Sequence, residues 1–105
     1  MIIRMKTIHS DSGSLSFFQF EGQQMKSVQR IYYIYGVNKG LKRGMHAHKE
    51  LEQIAFCPYG AIRFRLDDGN STEEINLNEP NKGLYIGKGI WREMVWEEDN
   101  SVLVV

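Results

Sequence analysis

Apolar and charged side chains alternate with a period of two over Ile62 to Asp67 (IRFRLD). Successive side chains of a β-strand point to opposite faces, so this alternation predicts a strand with one buried face. A longer segment, Val28 to Val37 (VQRIYYIYGV), is dense in β-branched and aromatic residues, which favour strands. Because this segment lacks a clean alternation, we predict a strand that is buried on both faces.

Shorter apolar runs separated by turn residues continue this pattern along the chain. Asp67 to Asn70 (DDGN) is a hairpin signal of the Asp-Gly type, and His9 to Ser14, Pro58 to Gly60 and Asn81 to Gly83 also predict turns. No segment has the periodicity of an amphipathic helix. Roughly seven to ten short strands in this arrangement predict an all-β sandwich or barrel. The further predicted strands are Met1 to Ile8, Leu15 to Phe20, Glu52 to Cys57, Glu74 to Leu77, Leu84 to Ile86, Trp91 to Trp96 and Val102 to Val105.

Composition and charge narrow the class of protein. With 105 residues, 10 glycines and 2 prolines, the chain fits a single domain, residues 1–105, of short strands and tight turns. Its 13 basic residues balance 13 acidic ones, so the charge indicates neither a nucleic-acid partner nor a membrane partner. The one cysteine, Cys57, is expected to be a buried apolar residue of a cytoplasmic protein. No apolar segment has the length of a signal-peptide core or a membrane span.

Two of the three histidines stand two positions apart in the segment Arg43 to Gln53 (RGMHAHKELEQ). On a strand, positions i and i+2 project from the same face, so His46 and His48 are predicted to point together into whatever that face covers. Arg43 precedes the pair and Gln53 follows it. The alternative is a solvated edge strand on which the two histidines have no function.

The spacing around this pair comes close to the first signature of the cupin jelly-roll barrels, in which two histidines and a glutamate ligate a metal. The matching residues are Gly40, His46, His48, Glu52 and Gly60. A complete cupin site takes a further histidine from the second half of the barrel, and residues 81–93 contain none. Zinc or iron held by the two histidines, the glutamate and water is one alternative. The other is proton transfer without a metal, because the pKa of an imidazole lies near neutrality.

The segments KSVQRIYYIYGV, RGMHAHKELEQ, LDDG and LNEPNKGLYIGKGIWREM follow one another in the order and spacing of the WxcM-like cupins. Over Thr7 to Val105 the sequence resembles this family, whose characterised enzymes are sugar nucleotide 3,4-ketoisomerases. The resemblance implies a cupin-type double-stranded β-helix, a jelly-roll barrel. It implies an isomerase that moves the keto group of a dTDP-linked 4-keto-6-deoxyhexose from C4 to C3, in deoxyamino-sugar biosynthesis for bacterial surface glycans. It also implies a homodimer with exchanged N-terminal strands.

The resemblance further implies roles for individual residues. His46 is the expected base for the C3 proton, His48 is expected to carry a proton between the two oxygens, and Tyr33, from the Tyr32 to Tyr35 run, assists as a hydrogen-bond donor. Such a reaction passes through an enediol and needs neither a cofactor nor a metal. The expected substrate-binding residues are cations, aromatic rings and an amide that suit a diphosphate and a sugar ring. They are Arg30, Tyr32, Tyr35, Arg43, Lys49, Gln53, Trp91 and Arg92.

Several features depart from the family pattern. Ser12 stands where most members have arginine, Gln19 where glutamate is usual, and Arg92 where histidine is the other common choice. Ser12 and Arg92 are expected to border the sugar, which leaves the configuration of the product at C4 open. Because the chain ends at Val105, we expect it to lack the family's C-terminal tail, with reduced or absent activity. A non-catalytic sugar-nucleotide-binding cupin and a metal-dependent cupin enzyme are the alternatives.

Overall fold

The computed structural model describes residues 1–19 and 28–105, and these described residues form β-strands and no helix. The strands are β1 (Ile2–Arg4), β2 (Lys6–Ser10), β3 (Gly13–Phe17), β4 (Tyr33–Ile34), β5 (Lys42–His46), β6 (Gln53–Tyr59), β7 (Ile62–Asp67), β8 (Thr72–Leu77), β9 (Lys82–Ile86), β10 (Trp91–Trp96) and β11 (Val102–Val104). The predicted all-β class is thus confirmed. Across both described ranges, no helix is long and apolar enough to cross a membrane.

Two antiparallel sheets enclose one apolar core. The first sheet has the strand order β1-β9-β6-β11-β4, and the second has the order β5-β10-β7-β8. Strands β2 and β3 form a separate two-stranded hairpin. The turn between them occupies residues 11–12, the middle of the range His9 to Ser14 in which a turn was predicted. The Asp-Gly hairpin is confirmed, and the Asp67 and Asp68 carboxylates accept hydrogen bonds from the backbone N–H groups that follow. The architecture is the predicted cupin-type jelly-roll barrel.

The alternation predicted over Ile62 to Asp67 sets the inner face of the second sheet. Ile62, Phe64 and Leu66 are buried, while the arginines between them are not. Their partners on β10 project from the same face, because residues directly opposite each other on antiparallel strands share a face. Those partners are Trp96, Met94 and Arg92. A row of apolar side chains on β10 therefore ends in an arginine at one mouth of the barrel.

The prediction for Val28 to Val37 was wrong in both length and burial. Only Tyr33–Ile34 is a strand, and Ile31, Tyr33 and Tyr35 are exposed. The short length follows from the position of β4 at the edge of its sheet, where its one partner among the described residues is the three-residue strand β11. The burial differs between the two faces: Tyr33 and Tyr35 are exposed, whereas Ile34, which projects from the other face, packs against the core.

Other predicted boundaries shift by a few residues. The first run is two strands rather than one, because Met5 is buried between them and donates its backbone N–H to the Asn81 carbonyl over 2.9 Å. Strand β6 continues through Pro58 and Tyr59, so the turn that was predicted there begins at Gly60. Strand β9 begins at Lys82, inside the turn predicted over 81–83. Phe20, predicted to end the strand that starts at Leu15, lies outside the described residues.

A β-bulge at Gly44 and Met45 sets the register of β5. Both residues have positive φ, 89° and 60° respectively. Opposite them on β10, Glu93 pairs with Gly44 whereas Arg92 pairs with His46, so Met45 is the extra residue. A bulge inserts one residue into one strand and re-aims the residues that follow it. Because of this one insertion, His46 stands opposite the buried Arg92 on the inner face.

We predict that Gly44→Ala destabilises the protein more than Gly69→Ala does. In each variant the left-handed backbone conformation of the new alanine lowers stability by about 1–2 kcal/mol. At Gly44 the added Cβ would also lie 2.8 Å from the Met94 Cε and 3.1 Å from the Arg92 carbonyl oxygen, whereas at Gly69 nothing lies within 4 Å. Overpacking should add ~1–3 kcal/mol. Urea unfolding of both variants measures the difference, and equal losses would contradict this reading of the bulge.

Candidate functional site

Three strands bring polar side chains together at one mouth of the barrel. Strand β5 ends at His46, β6 begins at Gln53, and Arg92 is the second residue of β10. Arg92 lies opposite His46 on β5 and opposite Leu66 on β7. The side chain of Leu66 belongs to the core. The shared face therefore places this imidazole and this guanidinium at the edge of the apolar interior, with Arg92 buried and His46 exposed at the mouth.

The two imidazoles of the predicted pair lie side by side. The ring centroids of His46 and His48 are 4.8 Å apart, and the rings meet edge to face at 82°. His48 follows the end of β5 rather than lying in it. Its backbone carbonyl accepts a 2.7 Å hydrogen bond from the Gly89 N–H, which fixes this segment against the loop before β10. The expected neighbourhood of the two rings is thus present, although only His46 lies in the strand.

Arg92 forms the floor of the site. Its side chain is 2 % exposed, its Nη1 donates to the Gln53 Oε1, and its Nη2 donates to the Ile90 carbonyl over 3.1 Å. Among the described residues its Nε has no hydrogen-bond partner, and no carboxylate there forms an ion pair with it. Burial lowers the pKa of Arg92 from its ordinary value. The arginine therefore holds a buried positive charge, and its Nε–H has no partner among the described residues.

Tyr32 and Arg30 complete the cluster. The Gln53 Nε2 donates to the Tyr32 hydroxyl over 3.4 Å, and the Arg30 guanidinium carbon lies 5.3 Å from the centre of the Tyr32 ring. A guanidinium over an aromatic face is a favourable cation–π contact. These contacts connect a phenol and a second cation to the Gln53–Arg92 pair.

The surroundings of His48 favour its neutral form. Partial burial lowers the pKa of His48, and the nearby charges of Arg92, His46 and Arg30 lower it further. Each of these groups makes a proton on the ring less favourable, so the neutral imidazole predominates at neutral pH. A neutral imidazole can accept a proton, which is the property that a general base needs.

Several predicted substrate-binding residues lie elsewhere. Tyr33 and Tyr35 are 63 % and 70 % exposed and face outward, with their ring centroids 5.7 Å apart. Together with Arg43 they line a groove of about 500 Å³ that runs between β4 and β5 and does not include the histidines. Lys49 is exposed as well. Trp91 lies on the outer face of β10, where its indole N–H donates to a Glu93 carboxylate oxygen over 3.3 Å.

The structure does not bring Glu52 to the histidine pair. Its carboxylate accepts a hydrogen bond from the Tyr85 hydroxyl, which raises the pKa of Tyr85. Within residues 1–19 and 28–105, no three His, Cys, Asp or Glu side chains are grouped so that they could hold a metal.

Cys57 is buried as expected, and burial raises its pKa to about 11. The thiol is therefore protonated at neutral pH.

The contact between Gln53 and Arg92 was missed by the sequence reasoning, which treated each as a separate substrate contact. A signal for it exists in the sequence. Arg92 is in phase with Met94 and Trp96, and Gln53 is in phase with Ala55 and Cys57, so both polar residues fall at inward positions. Polar residues on inward faces need partners, and here the two residues form a hydrogen bond with each other.

Fold and site together define a cupin-type barrel with a pair of acid/base groups in its mouth. A family model described as FdtA, WxcM-like, C-terminal matches residues 1–105. The chain is 39% identical over 104 residues to the TDP-4-oxo-6-deoxy-alpha-D-glucose-3,4-oxoisomerase of Aneurinibacillus thermoaerophilus, covering 99% of this chain and 75% of that protein. The chain belongs to the WxcM-like family.

Solved structures agree with this assignment. A 3,4-ketoisomerase from Helicobacter canadensis superposes with a TM-score of 0.91 at 38% identity, covering 99% of this chain and 78% of that one. A mutant of the 3,4-ketoisomerase QdtA from Thermoanaerobacterium thermosaccharolyticum, in complex with TDP-4-keto-6-deoxyglucose, superposes with a TM-score of 0.88 at 36% identity. That alignment covers 99% of this chain and 75% of the mutant enzyme. The relative and the two solved structures named here are thus 3,4-oxoisomerases or 3,4-ketoisomerases.

We predict that His48 titrates below the ordinary imidazole pKa of about 6.5. Replacing Arg92 with methionine removes one of the causes of the lowered pKa, so Arg92→Met should raise the pKa of His48. Arg65→Met, which removes the same charge from an exposed position on β7, is the control. NMR titration of the histidine ring protons measures the pKa of His48 in the wild type and in both variants. A His48 pKa that is unchanged in Arg92→Met would contradict the electrostatic account.

Proposed function

We propose that this protein is a sugar nucleotide 3,4-ketoisomerase that acts on a TDP-linked 4-keto-6-deoxyhexose. The observation that carries the proposal is the pair of imidazoles at 4.8 Å above the buried Arg92, in a chain whose relatives have this activity. Adjacent acid/base groups are what the reaction needs, because it moves protons between neighbouring carbons and oxygens.

The proposed reaction is an internal proton transfer. One imidazole, His46 in our assignment, removes the proton from C3 while the C4 carbonyl oxygen gains a proton, and the sugar becomes an enediol. The O3 hydroxyl then loses its proton, C4 gains one, and the carbonyl is now at C3. His48 carries the proton between the two oxygens, a role that its lowered pKa supports. Protons and electrons balance within the sugar, so the scheme calls for no cofactor.

The cations of the site have two tasks in this proposal. Arg92 stabilises the negative charge that develops on the sugar oxygens, because a fixed donor in a water-poor site acts most strongly on charge that appears in the transition state. Arg30 is nearer the exposed rim, where a diphosphate would lie, and its guanidinium fork suits phosphate oxygens.

We also propose a homodimer that works in the cytoplasm on deoxyamino-sugar biosynthesis for surface glycans. The hairpin of β2 and β3 supports the dimer, because it forms a sheet of its own and exposes Ile8 and Leu15. Exposed apolar side chains on a small detached sheet are suited to a contact with a second copy.

We predict that the protein converts TDP-4-keto-6-deoxyglucose in deuterated water to a 3-keto product with exchange of the C3 proton, as followed by proton NMR. His46→Asn and His48→Asn should each lower kcat by about 10²–10⁴-fold, the usual contribution of a positioned acid or base. His9→Asn changes the third histidine, which is hydrogen-bonded to Ser14 in the hairpin, and should retain activity.

Intact protein that gives neither exchange nor product would reject the isomerase proposal. Calorimetric binding of TDP by the same inactive protein would then favour the non-catalytic sugar-nucleotide-binding protein.

The two adjacent tyrosines offer a matched pair of variants. Tyr32 is bonded into the site through Gln53, whereas Tyr33 is exposed on the opposite face. We therefore predict that Tyr32→Phe lowers kcat about tenfold or more, as loss of a neutral donor to developing charge would do, and that Tyr33→Phe has little effect. Steady-state kinetics on both variants test this. A larger loss in Tyr33→Phe would return the assisting role to Tyr33, as expected from the sequence.

A further inference from the structure

Gln53 has both ends of its side chain committed to protein partners. It is 8 % exposed on the inner face of β6, in phase with the buried Ala55 and Cys57. Its Oε1 accepts from the Arg92 Nη1, and its Nε2 donates to the Tyr32 hydroxyl over 3.4 Å. A buried amide must be hydrogen-bonded, and these two contacts satisfy it from both sides. Each end of the amide thus has a protein partner, which marks Gln53 as a residue that links Arg92 to Tyr32.

The orientation of Arg92 depends on this amide. Of its guanidinium nitrogens, one is bonded to Gln53, one to the Ile90 carbonyl at 3.1 Å, and Nε has no partner among the described residues. A guanidinium held by a single carbonyl can swing about that contact, whereas two acceptors on different nitrogens fix its plane. The apolar neighbour Leu66, opposite on β7, supplies no polar restraint.

We propose that Gln53 is the positioning residue of this site. It fixes the Arg92 guanidinium beneath the two imidazoles and ties it to the Tyr32 hydroxyl, so that the donors of both residues meet the keto sugar in one arrangement. This inference rests on the proposed ketoisomerase activity for its kinetic consequence. Its structural part, the fixed plane of Arg92, is independent of that activity.

Three variants separate positioning from simple packing. Gln53→Leu removes both polar ends while keeping similar bulk, and Gln53→Glu keeps an acceptor oxygen for Arg92. Cys57→Ala is the matched control, because it lies on the same strand and the same inner face but four residues further along, about 13 Å away. If Gln53→Leu does not fold, Gln53→Met replaces it.

The first measurement is NMR of the arginine side chains in the ligand-free protein labelled with nitrogen-15. In the wild type and in Cys57→Ala, the Nη protons of Arg92 should give separate resonances, because the bond to Gln53 hinders rotation of that nitrogen. In Gln53→Leu the resonances should merge, and in Gln53→Glu they should be separate again. Separate resonances in Gln53→Leu would overturn the proposal, since Arg92 would then be held without this amide.

The second measurement is steady-state kinetics with TDP-4-keto-6-deoxyglucose. We expect Gln53→Leu to lower kcat by about 10–100-fold, as a small misplacement of a catalytic donor can do, with KM little changed and Cys57→Ala close to wild type. Equal kcat in Gln53→Leu and Cys57→Ala would leave Gln53 a packing residue and contradict the inference. An inactive wild type with the expected arginine resonances would instead reject the ketoisomerase proposal and keep the positioning of Arg92.

Discussion

The pairing of β5 with β10 around a single bulge is the constraint on which the site depends. A one-residue change of register would turn every side chain of a strand to its other face. Here the extra residue, Met45, brings His46 opposite Arg92. This bulge needs a glycine at position 44, because the backbone there has a φ of 89° and the nearby Arg92 carbonyl leaves no room for a side chain. The backbone register thus sets the position of His46 next to Arg92, although His46 itself is exposed.

The second feature that organises the site is an imbalance of charge. The whole chain has as many acidic as basic residues, yet Glu93 and Glu97 form their ion pairs on the outer face of the second sheet. The buried Arg92 is paired with a neutral amide instead of a carboxylate. Burying such a charge carries a desolvation penalty, and a negatively charged ligand that binds next to it offsets part of that penalty. This arrangement suits a sugar nucleotide whose reaction places negative charge on the sugar oxygens.

Local pattern predicted much of the fold and part of the site. The segments Ile62 to Asp67 and Trp91 to Trp96 were predicted as strands and are strands, because the residues of each segment themselves favour the extended conformation. The prediction for Val28 to Val37 was wrong because the apolar content of a strand does not tell whether one or both of its faces are covered, and here the core covers only the face of Ile34. Two-residue spacing revealed the histidine pair. The bond between Gln53 and Arg92 joins residues 39 positions apart, and only the folded barrel brings them together.

The most direct test of the account is a crystal structure of the protein with TDP-4-keto-6-deoxyglucose bound to an inactive His46→Asn variant. The account predicts the hexose in the mouth of the barrel, with C3 about 3–3.5 Å from the side chain at position 46 and a sugar oxygen against the Arg92 guanidinium. A hexose bound outside the mouth, for example in the groove between β4 and β5, would contradict the assignment of this site.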